Sequence, residues 1–121
     1  MNKTGRIFIL DVFSFNMASE SSESIVYITK QIPKLDFDPQ SVNFIPIIKR
    51  QIFLLGLEKE YGILTDLKSR ADVKVFPGDT VYLVKNYGIV PEGNLTEYPE
   101  DNYLTFIKID VLNRDQITIL D

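Results

Sequence analysis

The order of apolar segments predicts an α/β (α+β) fold: a single mixed β-sheet of about five strands with helices mainly on one face. Three observations predict it. Runs rich in Ile, Val and Phe with strand character lie towards both ends of the chain; a run with helical period lies in the middle; and the connections carry Pro, Gly and Asn. With 121 residues, 45% of them hydrophobic and 25% charged, the chain reads as one globular domain over residues 1–121.

The first element is RIFILDVF, residues 6–13, whose unbroken apolar character predicts a strand buried on both faces. SFNMASESSES is polar and reads as a loop. IVYIT, residues 25–29, is the second strand, and the following stretch, broken by Pro33 and Pro39, holds a short helix at most. Pro46 fits the first position of a helix, and apolar residues then recur at Ile48, Ile52 and Leu55, which predicts a helix over 46–61 ending near Gly62. ADVKVF, residues 71–76, and TVYLVK, residues 80–85, alternate on either side of a Pro77-Gly78-Asp79 turn and predict a hairpin. Residues 86–101 form a long connection of the kind that often carries function. Residues 102–112 are a further strand, for which Tyr103, Thr105, Ile107, Ile109 and Val111 make the expected core face, opposite Leu104, Phe106, Lys108 and Asp110. The final QITILD would add an edge strand. One layer of helix leaves part of the sheet uncovered, and with 14 aromatic residues (six Tyr, eight Phe) this points to a homodimer.

Composition excludes much chemistry. There is no cysteine, hence no disulfide or thiolate site, and no histidine, the usual acid or base near neutral pH and a common metal ligand. A formal charge of -4 argues against binding long nucleic acid, which requires many phosphates to be neutralised. The apolar runs are far shorter than a membrane span needs, so no membrane association is expected, and a cytoplasmic location is.

The most informative local feature is PIIKRQIF, residues 46–53, where Lys49 and Arg50 fall at the start of the expected helix. Cations there oppose the helix macrodipole by roughly 0.3–1 kcal/mol each unless an anion is present. Either a phosphate is held there or both side chains extend into water. Arg70 and Lys74 beside the next strand, and Tyr87 at the edge of the long connection, are open to the same two readings, surface or core packing against ligand contact. Glu97, Glu100 and Asp101 lack the regular spacing of an oxygen-ligand metal loop, and no metal or cofactor is expected.

Three stretches, in this order, resemble a known family: IFILDVFSFNM; FIPIIKRQ leading to Tyr61-Gly62-Ile63; and SRADVKVFPGD with the VPEG of residues 90–93. They are similar to the viral ring nucleases, the anti-CRISPR cyclic tetra-adenylate phosphodiesterases of archaeal viruses and some bacteria, over residues 5–111, with 112–121 as an extension. The resemblance implies a pocket at a dimer interface that binds cyclic tetra-adenylate, and metal-independent cleavage by a ribose 2'-hydroxyl. It also implies a ligand-binding set of Ser14, Lys49, Arg50, Gln51, Arg70 and Glu92. Active members carry Ile-Gly-His at the helix start, with the histidine as general acid. Here Ile48, Lys49 and Arg50 stand at those positions, Glu92 matches the glutamate of Pro-Glu-Gly, and Gly88 and Ile89 stand where the family has Gln and Arg. Arg50 and Glu92 are therefore the residues nearest the expected chemistry.

An arginine cannot replace histidine as a proton donor, because its guanidinium stays charged. The resemblance thus implies a degenerate ring-nuclease-like protein that binds a cyclic oligoadenylate and counters type III CRISPR signalling without efficient cleavage. Two alternatives stay open: a weakly active metal-independent phosphodiesterase, and a non-catalytic structural or interaction dimer whose partner is a host CRISPR protein.

Overall fold

The structure, a computed structural model, describes residues 5–13, 25–68 and 73–113. Five strands and one helix follow in the order β1 (Ile7–Leu10), β2 (Ile25–Ile32), β3 (Ile45–Ile47), α1 (Gln51–Tyr61), β4 (Thr80–Tyr87) and β5 (Tyr103–Asn113). They form a single mixed sheet of order β2-β5-β4-β1-β3. β1 runs parallel to both neighbours, pairing Phe8 with Ile45 and with Val81, while β5 is antiparallel to β4 and to β2. The architecture is α+β, as expected, with one helix among the described residues.

β1 holds an inner place in the sheet because its residues are apolar on both sides: Ile9 enters the helix-side core, and Phe8 and Leu10 the opposite one. On the helix side α1 buries Ile52, Phe53 and Leu57 against Val84, Leu104 and Phe106 of the sheet. Gly56 permits this close approach, since a Cβ there would lie 2.8 Å from the Tyr98 ring. The helix ends at Gly62, as expected, in the left-handed conformation (φ 68°), with its N–H donating to the Glu58 carbonyl at 3.0 Å.

Three expectations are corrected. The helix begins at Gln51, not Pro46: Ile45–Ile47 is strand β3 beside β1. Pro46 suits this place too, because β3 is an edge strand, where a missing N–H is tolerated. Second, TVYLVK is not paired with residues 73–76, the described part of its expected partner. The Phe76–Asp79 turn is present, with the Asp79 N–H donating to the Phe76 carbonyl at 3.0 Å, but β4 takes β1 and β5 as partners. Val73 and Val75 do alternate inward, onto Phe8, Val81 and Val111, while residues 71–72 lie outside the described residues.

Third, β5 has no single core face. Leu104 and Phe106 are buried on the helix side, Ile109 and Val111 on the other, while Tyr103 is 54% exposed. The cover is offset: α1 lies over one face at the start of β5, and Val73 and Val75 lie over the other face towards its end. β2 extends three residues past its expected limit, to Ile32. The loop SFNMASESSES and the expected edge strand QITILD lie outside the described residues. Among the described residues no helix is long and apolar enough to cross a membrane.

Candidate anion-binding site

β1 pairs with β4 only as far as Leu10 and Leu83, while β4 runs on to Tyr87. Past that point the chain leaves the sheet at Asp11, and α1 begins nearby at Gln51. The result is a crevice of about 360 Å³ at the carboxyl end of β1, lined by Asp11, Arg50, Phe53, Lys85, Asn86 and Ile107 among others. Crevices outside the carboxyl ends of strands are the usual ligand sites of open α/β sheets.

Asp11 organises this place. Both carboxylate oxygens accept the Lys49 N–H at 3.0 Å, and Oδ2 also accepts the Arg50 N–H at 2.8 Å. The Arg50 guanidinium returns to Asp11, donating from Nη2 to its carbonyl at 3.2 Å and placing Nε 3.7 Å from Oδ2. A carboxylate whose side chain is 1% exposed needs such partners, and here it has two amides and a cation. The electrostatic conflict read from PIIKRQIF is thereby resolved from within the chain: the anion at the helix start is Asp11.

Arg50 is the helix N-cap residue, with extended backbone (φ -122°, ψ 139°) and no side-chain cap. Its guanidinium lies 4.6 Å from the centre of the Phe53 ring, and its side chain is 60% exposed. The ring and the Asp11 carbonyl hold the cation at the mouth of the crevice with donors to spare. The amides of Gln51, Ile52 and Phe53, in the first turn, have no acceptor among the described residues. Lys85 lines the same crevice from β4, its Nζ 5.9 Å from the centre of the Tyr87 ring.

The structure therefore brings Arg50 into a site together with Asp11 and Lys85, neither of which the sequence singled out. Asp11 left one signal, an acid closing an otherwise apolar strand. Lys85 left none beyond its place in an alternating segment. Lys49 is half-buried and Gln51 exposed beside Arg50, whereas Glu92 is exposed on the 88–102 connection and does not line the crevice. Ser14 and Arg70 lie outside the described residues. The backbone carbonyl of Lys74 accepts from Arg6, and Tyr87 stacks on Tyr103 with ring centres 5.4 Å apart.

The 88–102 connection has a fixed path. Tyr98 is buried and its hydroxyl donates to the Asn86 side chain; burial, with Glu60 nearby, pushes that hydroxyl's pKa upward. Gly88 has φ 129°, and a Cβ there would lie 2.0 Å from Asn102 Oδ1, while Asn102 Nδ2 donates to the Ile89 carbonyl at 3.2 Å. Gly88 is thus required by this chain's own loop.

No protein-family model and no curated protein matches the chain. Among solved structures it is similar to B116 of Sulfolobus turreted icosahedral virus, with a TM-score of 0.63 and 18% sequence identity, the match covering 88% of this chain and 99% of that one. The protein has the fold of this archaeal-virus protein, and at the level of fold the match agrees with the resemblance carried by the three sequence stretches.

Proposed function

We propose that the protein binds a cyclic oligoadenylate through the Asp11–Arg50 crevice without cleaving it efficiently, and so counters type III CRISPR signalling by sequestration. The observation that carries this reading is the Arg50 guanidinium, tethered by a buried carboxylate yet 60% exposed, facing the same crevice as Lys85. A guanidinium held in this way is pre-organised for a phosphate. Asp11 already takes the Lys49 and Arg50 amides, so the phosphate would meet the guanidinium, Lys85 and the amides of Gln51 to Phe53.

The reading includes a homodimer. A crevice of about 360 Å³ is at the small end of the roughly 300–1,000 Å³ that drug-sized ligands occupy. A tetranucleotide ring exceeds it, and two crevices facing one another would supply the rest, with Ser14, Arg70 and Glu92 as further contacts. Cleavage is expected to be weak because the chain has no histidine and Arg50 cannot donate a proton; general acid-base assistance is typically worth about 10²–10⁴-fold.

Calorimetry with cyclic tetra-adenylate, together with chromatography of the mixture, tests this. Binding without linear product supports sequestration, and Arg50→Ala should weaken it at least about tenfold, the loss of one charge-assisted contact. Linear product would favour the weak phosphodiesterase. Absence of binding would favour a protein-contact role, for which the exposed apolar residues Ile89, Val90, Tyr87 and Tyr103 offer a surface and a host CRISPR protein is the partner to test.

A further inference from the structure

The face of the sheet opposite α1 is well covered at one end only. Ile109 and Val111 of β5 lie under Val73 and Val75, but at the start of that strand Tyr103 is 54% exposed, and Tyr87, its partner on β4, is 43% exposed. The two rings stack with centres 5.4 Å apart and planes 14° apart. β2 stops opposite Phe106, short of this pair, and beside it lies a hollow of about 430 Å³ that Gln31, Pro33, Lys85 and Thr105 line together with the two tyrosines. A stacked aromatic pair left in water forgoes the burial from which such side chains normally gain.

The chemistry of this hollow separates it from an ordinary apolar patch. The chain carries a net -4, yet no acid lines the hollow and one lysine does. Gln31 brings an amide with both donor and acceptor, and Thr105 a hydroxyl; neither side chain has a hydrogen-bond partner among the described residues. Lys85 and Ile107 line both this hollow and the Asp11–Arg50 crevice, so the two adjoin. From β1, at whose end Arg50 lies, to β5 is two strand spacings, about 10 Å, the scale of one nucleotide from phosphate to base.

We infer that the hollow is a base slot, taking the adenine of a nucleotide whose phosphate lies at Arg50. The inference rests on the proposed anion site and names its base side. The Tyr103 ring stacks on the adenine, and Lys85, at the boundary of the two hollows, lies on the phosphate side. The Gln31 amide accepts from the exocyclic amino group of the adenine and donates to the neighbouring ring nitrogen. Stacking tolerates any base, so the preference for adenine comes from Gln31.

The chain has no tryptophan, so Tyr103→Trp places a single fluorescent reporter in the slot. Adenosine monophosphate should quench it, whereas ribose phosphate should not. In calorimetry Tyr103→Ala should weaken adenosine monophosphate binding at least about fivefold, the low end of what a base stacked on an aromatic side chain contributes, with circular dichroism unchanged. Gln31→Ala should bring adenosine and uridine monophosphates, unequal in the parent, to similar affinity. Absence of quenching by adenosine monophosphate, unchanged affinity in Tyr103→Ala, or equal affinity of the parent for the two nucleotides would overturn the inference. A single nucleotide reads the slot whether or not a ring binds. Quenching without binding of cyclic tetra-adenylate keeps the slot and removes sequestration, while ring binding without quenching does the reverse.

Discussion

Asp11 and Arg50 are joined twice, through the Arg50 amide to the Asp11 carboxylate at 2.8 Å and through the guanidinium to the Asp11 carbonyl at 3.2 Å, although one residue is buried and the other exposed. The buried partner holds the helix start in place, and the exposed partner is available to a ligand. Substitutions should therefore separate stability from binding. Asp11→Ala leaves the Lys49 and Arg50 amides without their acceptor and should cost about 2–4 kcal/mol in a denaturant titration. Arg50→Ala, which takes the cation from Asp11 but leaves its two amide donors, should cost less than Asp11→Ala while weakening anion binding.

Gly88 lies so close to Asn102 that this position leaves no room for a side chain. A side chain at φ 129°, with its Cβ 2.0 Å from Asn102 Oδ1, forces the loop to move. Gly88→Gln is expected to destabilise the protein by about 1–3 kcal/mol, the usual cost of a strained backbone. Thermal unfolding checks this, and Asn102→Gly in the same chain should recover the part due to the clash but not the part due to φ. Full stability in the single variant would show that the loop has another path.

What could be read from the sequence was local. The apolar run of β1 and the glycine that ends α1 carry their structural meaning in a few adjacent residues: the glycine is found where expected, and the strand lies inside its expected span of 6–13 but covers only Ile7–Leu10. Pro46 was ambiguous because the first turn of a helix and an edge strand both tolerate a missing N–H. TVYLVK is buried on both faces, with Tyr82 and Val84 in one core and Val81 in the other, and its pattern could not choose β1 and β5 over residues 73–76 as partners. β5 has core on both faces because its cover comes from α1 at one end and from Val73 and Val75 at the other, both distant in sequence. Asp11 was harder still, since its role lies in amides 38 and 39 positions away. The position of Arg50 at the expected helix start drew notice to it, and only the fold showed which carboxylate sits behind it.

Asp36 links acid stability to the helix side of the sheet. Its carboxylate accepts from the Tyr82 hydroxyl and lies 3.5 Å from Lys108 Nζ; these contacts, the hydroxyl first, hold its pKa below the ordinary value of 3.8. With the folded value below the unfolded one, ionised Asp36 stabilises the fold above the ordinary carboxylate range, and this contribution is lost as pH falls through the lowered value. Asp36→Asn should therefore reduce stability near pH 7 and flatten its decline below about pH 4, the two proteins converging in strong acid. Urea titrations at several pH values check the slope; parallel curves would mean that Asp36 is not linked to folding.

Arg50 also allows the proposed loss of cleavage to be tested directly. Its guanidinium stays charged, so under the proposed function it can stabilise a phosphate but cannot protonate a departing oxygen. Arg50→His supplies a group that titrates near neutral pH at the mouth of the crevice, and Lys49→Gly in the same chain gives the Ile-Gly-His sequence of the ring nucleases that this segment resembles. If cyclic tetra-adenylate binds here, the double variant should release linear product faster than the parent by about 10²-fold or more, with no added metal. The rate should fall as pH rises above about 6.5, where the imidazole loses its proton. Chromatography over a pH series reads both effects. A double variant that binds the ring yet shows no such gain would mean that position 50 does not face the scissile bond.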